Sequence, residues 1–346
     1  MNESELRDLL PDERPLPTGR RREMEERLMQ QIEAEGKTSR RHFRLMVGAA
    51  AAIVVGVAAL GVVVVGDDGD RGDGGDRSDP AASPDDRAST APLVELVTVP
   101  RDVMTAVQDE RNQATTWLLG IEDVLEIPVD DATTARGSTD TAVAGLRALA
   151  DADPAGAAYG PALDDLDGLA AVRGDVDADD GPRNLSNTGP SQEVFDRYGQ
   201  VLTGLLDAQA AFVATIDDPE LRDGAEVYQL VLRQQELTTT LGREALLAMT
   251  SSLSTGSAEV ADLSRLHELV RQGGDTLAAA ADGTPYEEVT AAAVGELDAS
   301  GFLPAVAGLL EDGTMNIPDM LDSMDSVVVG LAAAADEVEA GLTGTG

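Results

Sequence analysis

The sequence predicts an all-α protein, with a bundle of about eight helices behind one N-terminal transmembrane helix. Three observations lead to this prediction. From residue 92 onward, apolar residues recur at the three-to-four-residue spacing of amphipathic helices. The same region has no run in which β-branched and polar residues alternate, as they do in strands. Upstream, residues 45–66 form an uninterrupted uncharged stretch rich in Ala, Val and Gly.

Residues 45–66 are predicted to cross a membrane once. At about 1.5 Å per residue, the stretch reaches roughly 33 Å, which exceeds a hydrocarbon core of about 30 Å. Basic residues precede it and aspartates follow it, so the positive-inside bias places residues 1–44 in the cytoplasm and the rest of the chain outside. The best later candidate for a span, residues 327–335, is too short and ends at Asp336.

A cleaved export signal is the alternative to an anchor. Residues 39–43, Ser-Arg-Arg-His-Phe, resemble a twin-arginine signal. However, the segment before the apolar stretch is unusually long for a signal, and Asp67 and Asp68 stand where a small-x-small cleavage site would be expected. The sequence therefore favours an uncleaved anchor in the cell membrane.

Two polar segments flank the predicted span. In the cytoplasmic tail, residues 20–35 are predicted to form a short helix. A marginally stable helix is favoured over one whose apolar face binds a cytoplasmic partner. Residues 67–91, rich in Asp, Gly, Ser and Pro, are predicted to be a flexible acidic linker. Their aspartates do not follow the spacing of an EF-hand, so no calcium site is predicted. The helical domain is then assigned to residues 92–346.

The net charge of -39 lies entirely beyond the span. The first 44 residues carry ten acidic and ten basic side chains, which cancel. So acidic a domain repels nucleic acid and anionic lipid, which excludes nucleic-acid partners. The chain has no cysteine, which excludes disulfides and thiolate chemistry.

The helical region divides at Gly, Pro, Asn and Asp clusters. Asp217 or Asp218 is expected to cap the helix that begins at Pro219. Residues 174–190 are expected to form a loop. The predicted helices span residues 93–120, 133–150, 162–172, 192–216, 219–252, 258–282, 285–298 and 317–342.

No enzyme, cofactor or metal site is predicted. The histidines are His42, beside the predicted span, and His267, within a predicted helix, where a lone histidine is most often structural. No serine stands in a nucleophile elbow, and no phosphate-binding glycine loop follows a strand. A cleft that joined His267 to a carboxylate would be the sign of an enzyme.

Three arginines are the candidate site residues. Arg111 lies on the apolar face of the first helix, Arg243 follows a polar ladder in the helix from residue 219, and Arg136 lies one turn before Asp140. A core arginine is costly unless it is satisfied, either by a carboxylate such as Glu110 or Glu236 or by a ligand anion. From spacing alone, salt bridges are favoured, most strongly for Arg136 with Asp140. Guanidiniums from two helices could otherwise clamp a planar oxyanion.

Several motifs resemble the nitrate- and nitrite-sensing domain family. Residues 107–111, Val-Gln-Asp-Glu-Arg, and the later Trp-Leu are similar to its opening helix. Arg136 with Thr-Asp resembles its second helix, and residues 166–173 its third. Residues 242–247, Gly-Arg-Glu-Ala-Leu-Leu, resemble its late stretch, with Gly242 in place of the usual glutamate. The similarity covers residues 92–282 well and residues 285–342 loosely.

The resemblance implies two packed four-helix bundles with a nitrate or nitrite pocket lined by arginines between them. Arg111 and Arg243, and less directly Arg136, are the implied anion contacts. The leading hypothesis is an extracytoplasmic sensor module that signals through a cytoplasmic or membrane partner, with a homodimer left open. The alternative is a structural or protein-interaction surface module of the same fold that no longer binds anions.

Overall fold

A computed structural model of the chain describes residues 84–120, 131–179, 181, 188–250 and 257–344. Within these ranges, the side chains of residues 84–90, 131–133, 249–250 and 257–259 are not described. The predicted tail 1–44, the predicted span 45–66 and most of the predicted linker lie outside the described residues.

The all-α prediction is confirmed, since the described residues form helices and contain no strand. The α-helices are α1 Pro84–Leu119, α2 Asp131–Ala152, α3 Gly160–Asp167, α4 Leu169–Ala178, α5 Gly189–Val213, α6 Pro219–Thr250, α7 Ser257–Ala281, α8 Glu287–Ala299, α9 Phe302–Asp312 and α10 Ile317–Leu342, and a 3₁₀ helix, Pro154–Tyr159, joins α2 to α3.

The helices pack as two four-helix bundles, in each of which one of the four members is a pair of shorter helices. In the first bundle, α1 packs on α2 and α5, and the broken third helix, α3 with α4, packs on α5. In the second, α6 packs on α7 and α10, and the broken pair α8 and α9 packs on α7 and α10. The bundles meet where α6 contacts α5 and α1, and one apolar core continues through both. This meeting of α1, α5 and α6 positions the site described below.

Aromatic residues anchor the first bundle near its entry. Tyr159, buried at the end of the 3₁₀ helix, donates to the Leu96 carbonyl oxygen at 2.7 Å, and its ring centroid lies 5.7 Å from that of Phe212. The predicted cap of α6 is also observed, because Asp218 Oδ1 accepts from the Glu220 and Leu221 amides at 2.9 and 3.2 Å. This cap fixes the turn at which the chain passes from the first bundle to the second.

Several helices differ from the sequence prediction. α1 begins at Pro84, inside the segment predicted as linker. The single helix predicted over residues 162–172 is two helices that meet at Gly168, and the second continues to Ala178 because Val176 is buried against the core. No helix was predicted between residues 298 and 317, where α9 lies. Its Phe302, Leu303 and Val306 are buried, so packing stabilises a helix that Pro and Gly had obscured.

One described segment, Glu287–Asp312, is apolar and long enough by length and composition to cross a membrane. This corrects the expectation that residues 327–335 are the best later candidate. Gly301 divides the segment, because its φ of 89° lies in the left-handed region that ends α8 and starts α9. Both helices pack on α10 within the second bundle. Its buried residues, among them Leu297, Phe302 and Val306, belong to the core of that bundle.

Candidate anion site between the two bundles

A buried ion pair joins the two bundles at the centre of their contact. Arg111 on α1 is fully buried, at 0% exposure, and faces Glu236 on α6. Arg111 Nη1 donates to Glu236 Oε1 at 2.6 Å and Nη2 donates to Oε2 at 3.1 Å. Of the two expected carboxylates, α6 supplies Glu236, whereas the prediction of Glu110 as the partner was wrong. Glu110 accepts hydrogen bonds from Arg173 and Tyr198 instead.

Two further donors complete the surroundings of the Glu236 carboxylate. Gln108 Nε2 donates to Oε2 at 2.6 Å, and Thr240 Oγ1 donates to Oε1 at 3.1 Å. Each carboxylate oxygen thus accepts two hydrogen bonds. Arg111 Nε, by contrast, is buried with no hydrogen-bond partner in the described part of the chain. The Nε–H group of this guanidinium is therefore a buried donor without an acceptor.

Arg243 approaches the same place from α6. Its guanidinium carbon lies 3.6 Å from the ring centroid of Phe195 on α5, and that of Arg111 lies 4.3 Å from the same centroid. Cation–π attraction favours both positions. Arg243 Nη1 donates to Gln192 Oε1 at 3.1 Å and to Glu244 Oε1 at 3.0 Å. The structure therefore brings Arg111 and Arg243 together around one aromatic ring.

The hydrogen bonds of Arg243 are weaker than those of Arg111. Its Nη2 reaches Ser191 Oγ at 3.3 Å and the Ser191 carbonyl oxygen at 3.4 Å, both long contacts. Burial, with the Arg111 charge adding to it, lowers the pKa of Arg243 to about 10, and Glu244 only partly opposes this. Arg243 is thus the guanidinium that would gain most from an anion.

The charges at the junction differ from those of the chain as a whole. Two guanidiniums face Phe195, and Ser191 and Gln192 belong to the first turn of α5, whose N-terminus carries a partial positive charge. Glu236 and Glu244 are the acids that pair with the two arginines. Two arginines and their two paired acids therefore balance at the junction, whereas the whole chain carries a net charge of -39.

Glu110 is the centre of a second buried network inside the first bundle. It accepts from Arg173 Nε and Nη2 at 2.7 and 2.8 Å and from the Tyr198 hydroxyl at 2.7 Å. Burial alone would raise the pKa of Glu110, but the hydrogen bonds from Arg173 and Tyr198 hold it below its ordinary value. Arg173 also pairs with Asp140 at 2.7 Å. This network fixes α2, α4 and α5 around α1.

Arg136 lies in that second network rather than beside Arg111 and Arg243. It pairs in a bidentate manner with Asp177 on α4, at 3.0 and 2.7 Å. The predicted pair with Asp140 was wrong, because Asp140 binds Arg173 instead. Two of the three predicted site residues therefore converge, and the third is held on α2 by a carboxylate of α4.

Glu236 was among the acids expected to pair with the arginines, but the contact of both guanidiniums with the ring of Phe195 was not predicted. The signal for this contact is weak in the sequence, since Phe195 lies far from Arg111 along the chain. Gly242 has a clear structural role. A Cβ there would lie 2.0 Å from Met324 Sδ on α10, so the glutamate usual in the resembled family would require the Met324 side chain to move.

The remaining features of the described residues are a lone histidine and a surface groove. The described residues contain no group of three or more His, Asp or Glu arranged to hold a metal ion. His267 Nε2 lies 3.2 Å from the Leu303 carbonyl oxygen, a contact that ties α7 to α9. A groove of about 520 Å³ lies between α2 and the α3–α4 pair and is lined by Arg147 and Arg173 among others. Both arginines are paired with acids, so the groove is a surface feature of the first bundle.

Asp109, beside the two networks, gives a pH-dependent prediction. Burial raises its pKa to about 7, and its Oδ1 is buried without a hydrogen-bond partner among the described residues. The folded protein therefore holds this proton more tightly than the unfolded chain. The contribution of Asp109 to the free energy of unfolding is fully present below the ordinary carboxyl pKa of about 4, and it is lost as pH rises towards 7.

Asp109→Asn is expected to raise the melting temperature at pH 8 and to have little effect at pH 4. Thermal unfolding of the variant and the native protein across this range measures the difference. Asp164→Asn, which removes the same charge from an exposed position on α3, is the control. A difference that does not grow with pH would contradict the prediction.

Fold and site together define a class: all-α modules of two four-helix bundles that meet around buried arginines. The family described as nitrate and nitrite sensing matches residues 102–339, most of the chain. The chain belongs to this family, a family of sensing rather than catalytic domains, and the resemblance seen in the sequence is confirmed. No curated protein sequence and no solved structure matches the chain.

Proposed function

We propose that the chain is a sensor module that binds nitrate or nitrite between its two bundles and signals through a partner. The observation that carries the proposal is the convergence of Arg111 and Arg243 on Phe195 at the bundle junction. Membership of the nitrate- and nitrite-sensing family supports the ligand class. Arg111 and Arg243 are the proposed contacts, and Arg136 supports the first bundle through Asp177.

The geometry suits a small planar anion. Nitrate and nitrite present two oxygens in one plane, which matches the paired N–H groups of a guanidinium. Arg111 Nε has no partner in the described chain, and the long contacts of Arg243 Nη2 can be exchanged for shorter ones to an anion. The faces of both guanidiniums rest against Phe195, so their edges remain for hydrogen bonding.

Helix α1 is the proposed route of the signal. It carries Arg111 and, about 2.8 turns nearer the N-terminus at 3.6 residues per turn, Arg101, which pairs with Asp336 and Glu339 on α10. Tyr228 donates to Glu339 at 2.9 Å and joins this second tie. α1 is thus bound to the second bundle at two points. A ligand that binds the two packing states unequally would shift α1 relative to α6 and α10.

The same helix leads back towards the predicted linker and span. We propose that residues 45–66 anchor the module in the cell membrane, with residues 1–44 in the cytoplasm and the two bundles outside. The charge asymmetry around the span supports this orientation. The signal would then reach a cytoplasmic or membrane partner, and a homodimer of the module is one form that partner can take.

Thermal unfolding of the full-length chain in detergent tests ligand binding. Sodium nitrate and sodium nitrite are compared with sodium chloride at equal ionic strength. A ligand at a hundredfold excess over its Kd stabilises by about 2.7 kcal/mol, which corresponds to a shift of several degrees. We expect this shift in nitrate or nitrite but not in chloride.

Arg243→Ala should abolish the shift, because it removes one of the two anion contacts. Arg233→Ala is the matched control, since Arg233 lies on the same helix and pairs with Asp207 at the surface. Its shift should equal that of the native protein. Equal melting temperatures in all three salts would reject nitrate and nitrite as ligands.

A second candidate function has one observation in its favour. Arg111 is already satisfied by a bidentate carboxylate in a closed setting, which is what a purely structural pair would show. On this view the domain is a surface module for structure or protein interaction that no longer binds anions. The salt comparison separates the two, because a structural pair predicts no nitrate-specific shift.

A further inference from the structure

We infer that Glu236 is a built-in competitor of the ligand: its carboxylate occupies the cradle in which a planar oxyanion binds, and the anion must displace it. The inference deepens the proposed function, on which it rests for the identity of the natural anion. According to this inference, competition from Glu236 sets the affinity for the anion. Displacement of Glu236 opens the Arg111–Glu236 ion pair that links the two bundles.

The surroundings of the carboxylate carry the inference. Oε1 accepts from Arg111 Nη1 at 2.6 Å and from Thr240 at 3.1 Å. Oε2 accepts from Arg111 Nη2 at 3.1 Å and from Gln108 at 2.6 Å. Four donors therefore converge on two coplanar oxygens. The O–N–O edge of nitrate or nitrite has the same shape and can accept the same hydrogen bonds.

The origin of the donors makes the cradle sensitive to its occupant. Arg111 and Gln108 belong to α1, whereas Thr240 and Glu236 belong to α6. While Glu236 fills the cradle, α6 is attached to α1 through a covalently linked anion. A free anion satisfies Arg111 equally well but is not part of α6. Exchange of one for the other therefore keeps Arg111 paired, releases the Glu236 carboxylate from Arg111 and removes the covalently anchored link between the bundles.

The arrangement also selects among anions by shape. A planar oxyanion can place one oxygen at each pair of donors. Chloride, a single sphere, cannot meet both pairs at once, and a tetrahedral oxyanion carries atoms outside the plane of the guanidinium. Selectivity for nitrate, nitrite and small carboxylates over chloride follows from the geometry, since the cradle is already shaped around a carboxylate.

The first experiment measures nitrate affinity of the full-length chain by calorimetric titration. Glu236→Gln keeps the shape of the side chain but removes its charge, so it competes less well for Arg111. We expect at least tenfold tighter nitrate binding in Glu236→Gln than in the native protein. Glu268→Gln removes an acid from an exposed ion pair within α7, the one with Arg271, and should leave nitrate affinity unchanged.

The second experiment is chemical rescue. Glu236→Ala leaves the fully buried Arg111 without its carboxylate and should lower the melting temperature. Formate, which is the missing carboxylate group, should restore it, and nitrate should do so as well, whereas chloride at equal ionic strength should not. If this variant does not fold, the affinity of Glu236→Gln decides by itself.

The outcomes separate the two proposals. If nitrate binds the native chain and Glu236→Gln equally, the proposed function stands and the competitor role of Glu236 is overturned. If the native chain shows no nitrate binding but Glu236→Gln binds it or Glu236→Ala is rescued, the cradle is established and the proposed function fails for the native protein. Absence of tighter binding together with absence of rescue overturns the inference.

Discussion

Arg173→Ala is expected to lower the free energy of unfolding by about 3–5 kcal/mol, because it leaves the Glu110 carboxylate buried without its cationic partner. Glu110 has a side-chain exposure of 3% and receives both hydrogen bonds of its ion pair from Arg173. Tyr198 remains as a neutral donor, which cannot compensate a buried charge. Chemical denaturation of the variant and the native protein measures the loss.

The pH dependence of this loss provides an independent test. In the native protein, Arg173 holds the pKa of Glu110 below its ordinary value, so the ion pair adds stability above the ordinary carboxyl pKa and loses it as pH falls. Without Arg173, a buried Glu110 is easier to protonate. The deficit of Arg173→Ala should therefore be largest near neutral pH and should narrow as pH falls below about 4.5.

Arg147→Ala is the matched control for Arg173→Ala. Arg147 pairs with Asp167 at 2.7 Å, but the two side chains are 43% and 62% exposed, so water already solvates both charges. Such pairs contribute about 0–1 kcal/mol. If the two arginine variants lose similar amounts of stability, the assignment of Glu110 as a buried hub is wrong.

Gly156→Ala is expected to destabilise the protein by about 1–3 kcal/mol or more, because the added methyl has no space. A Cβ at this position would lie 2.4 Å from the Ala150 Cα and 2.6 Å from the Ala150 carbonyl oxygen. Both are backbone atoms, so relief requires the end of α2 to move away from the 3₁₀ helix. That movement would also disturb Tyr159, which the 3₁₀ helix places in the core.

Thermal unfolding measures the effect of Gly156→Ala, at about 2–4 °C per kcal/mol for a domain of this size. Gly145→Ala is the control, since Gly145 lies on α2 with nothing within 4 Å of an added Cβ. That substitution should stabilise by about 0.4–1 kcal/mol through the lower entropy of the unfolded chain. A Gly156→Ala protein as stable as the native one would show that α2 and the 3₁₀ helix are not closely packed.

The class of fold and most of the helices were determined by the sequence itself. Helical spacing of apolar residues, with Asp218 and Pro219 as a start signal, is a local property, and local properties survive in a single sequence. The same reasoning placed Arg111 on a buried face. The resemblance to a known family then implied that Arg243 lies near Arg111. Helices α4 and α9 were harder to predict from the sequence, because buried residues such as Val176 and Phe302 stabilise them through contacts with distant parts of the chain.

The partners of the arginines were decided only by the tertiary structure. The chain has 64 acidic residues, so almost every arginine has a carboxylate nearby in sequence, and spacing cannot select among them. Local spacing proposed Glu110 for Arg111 and Asp140 for Arg136, whereas packing supplied Glu236 from α6 and Asp177 from α4. The physical reason is that burial, which strengthens one ion pair over another, depends on which helix faces meet.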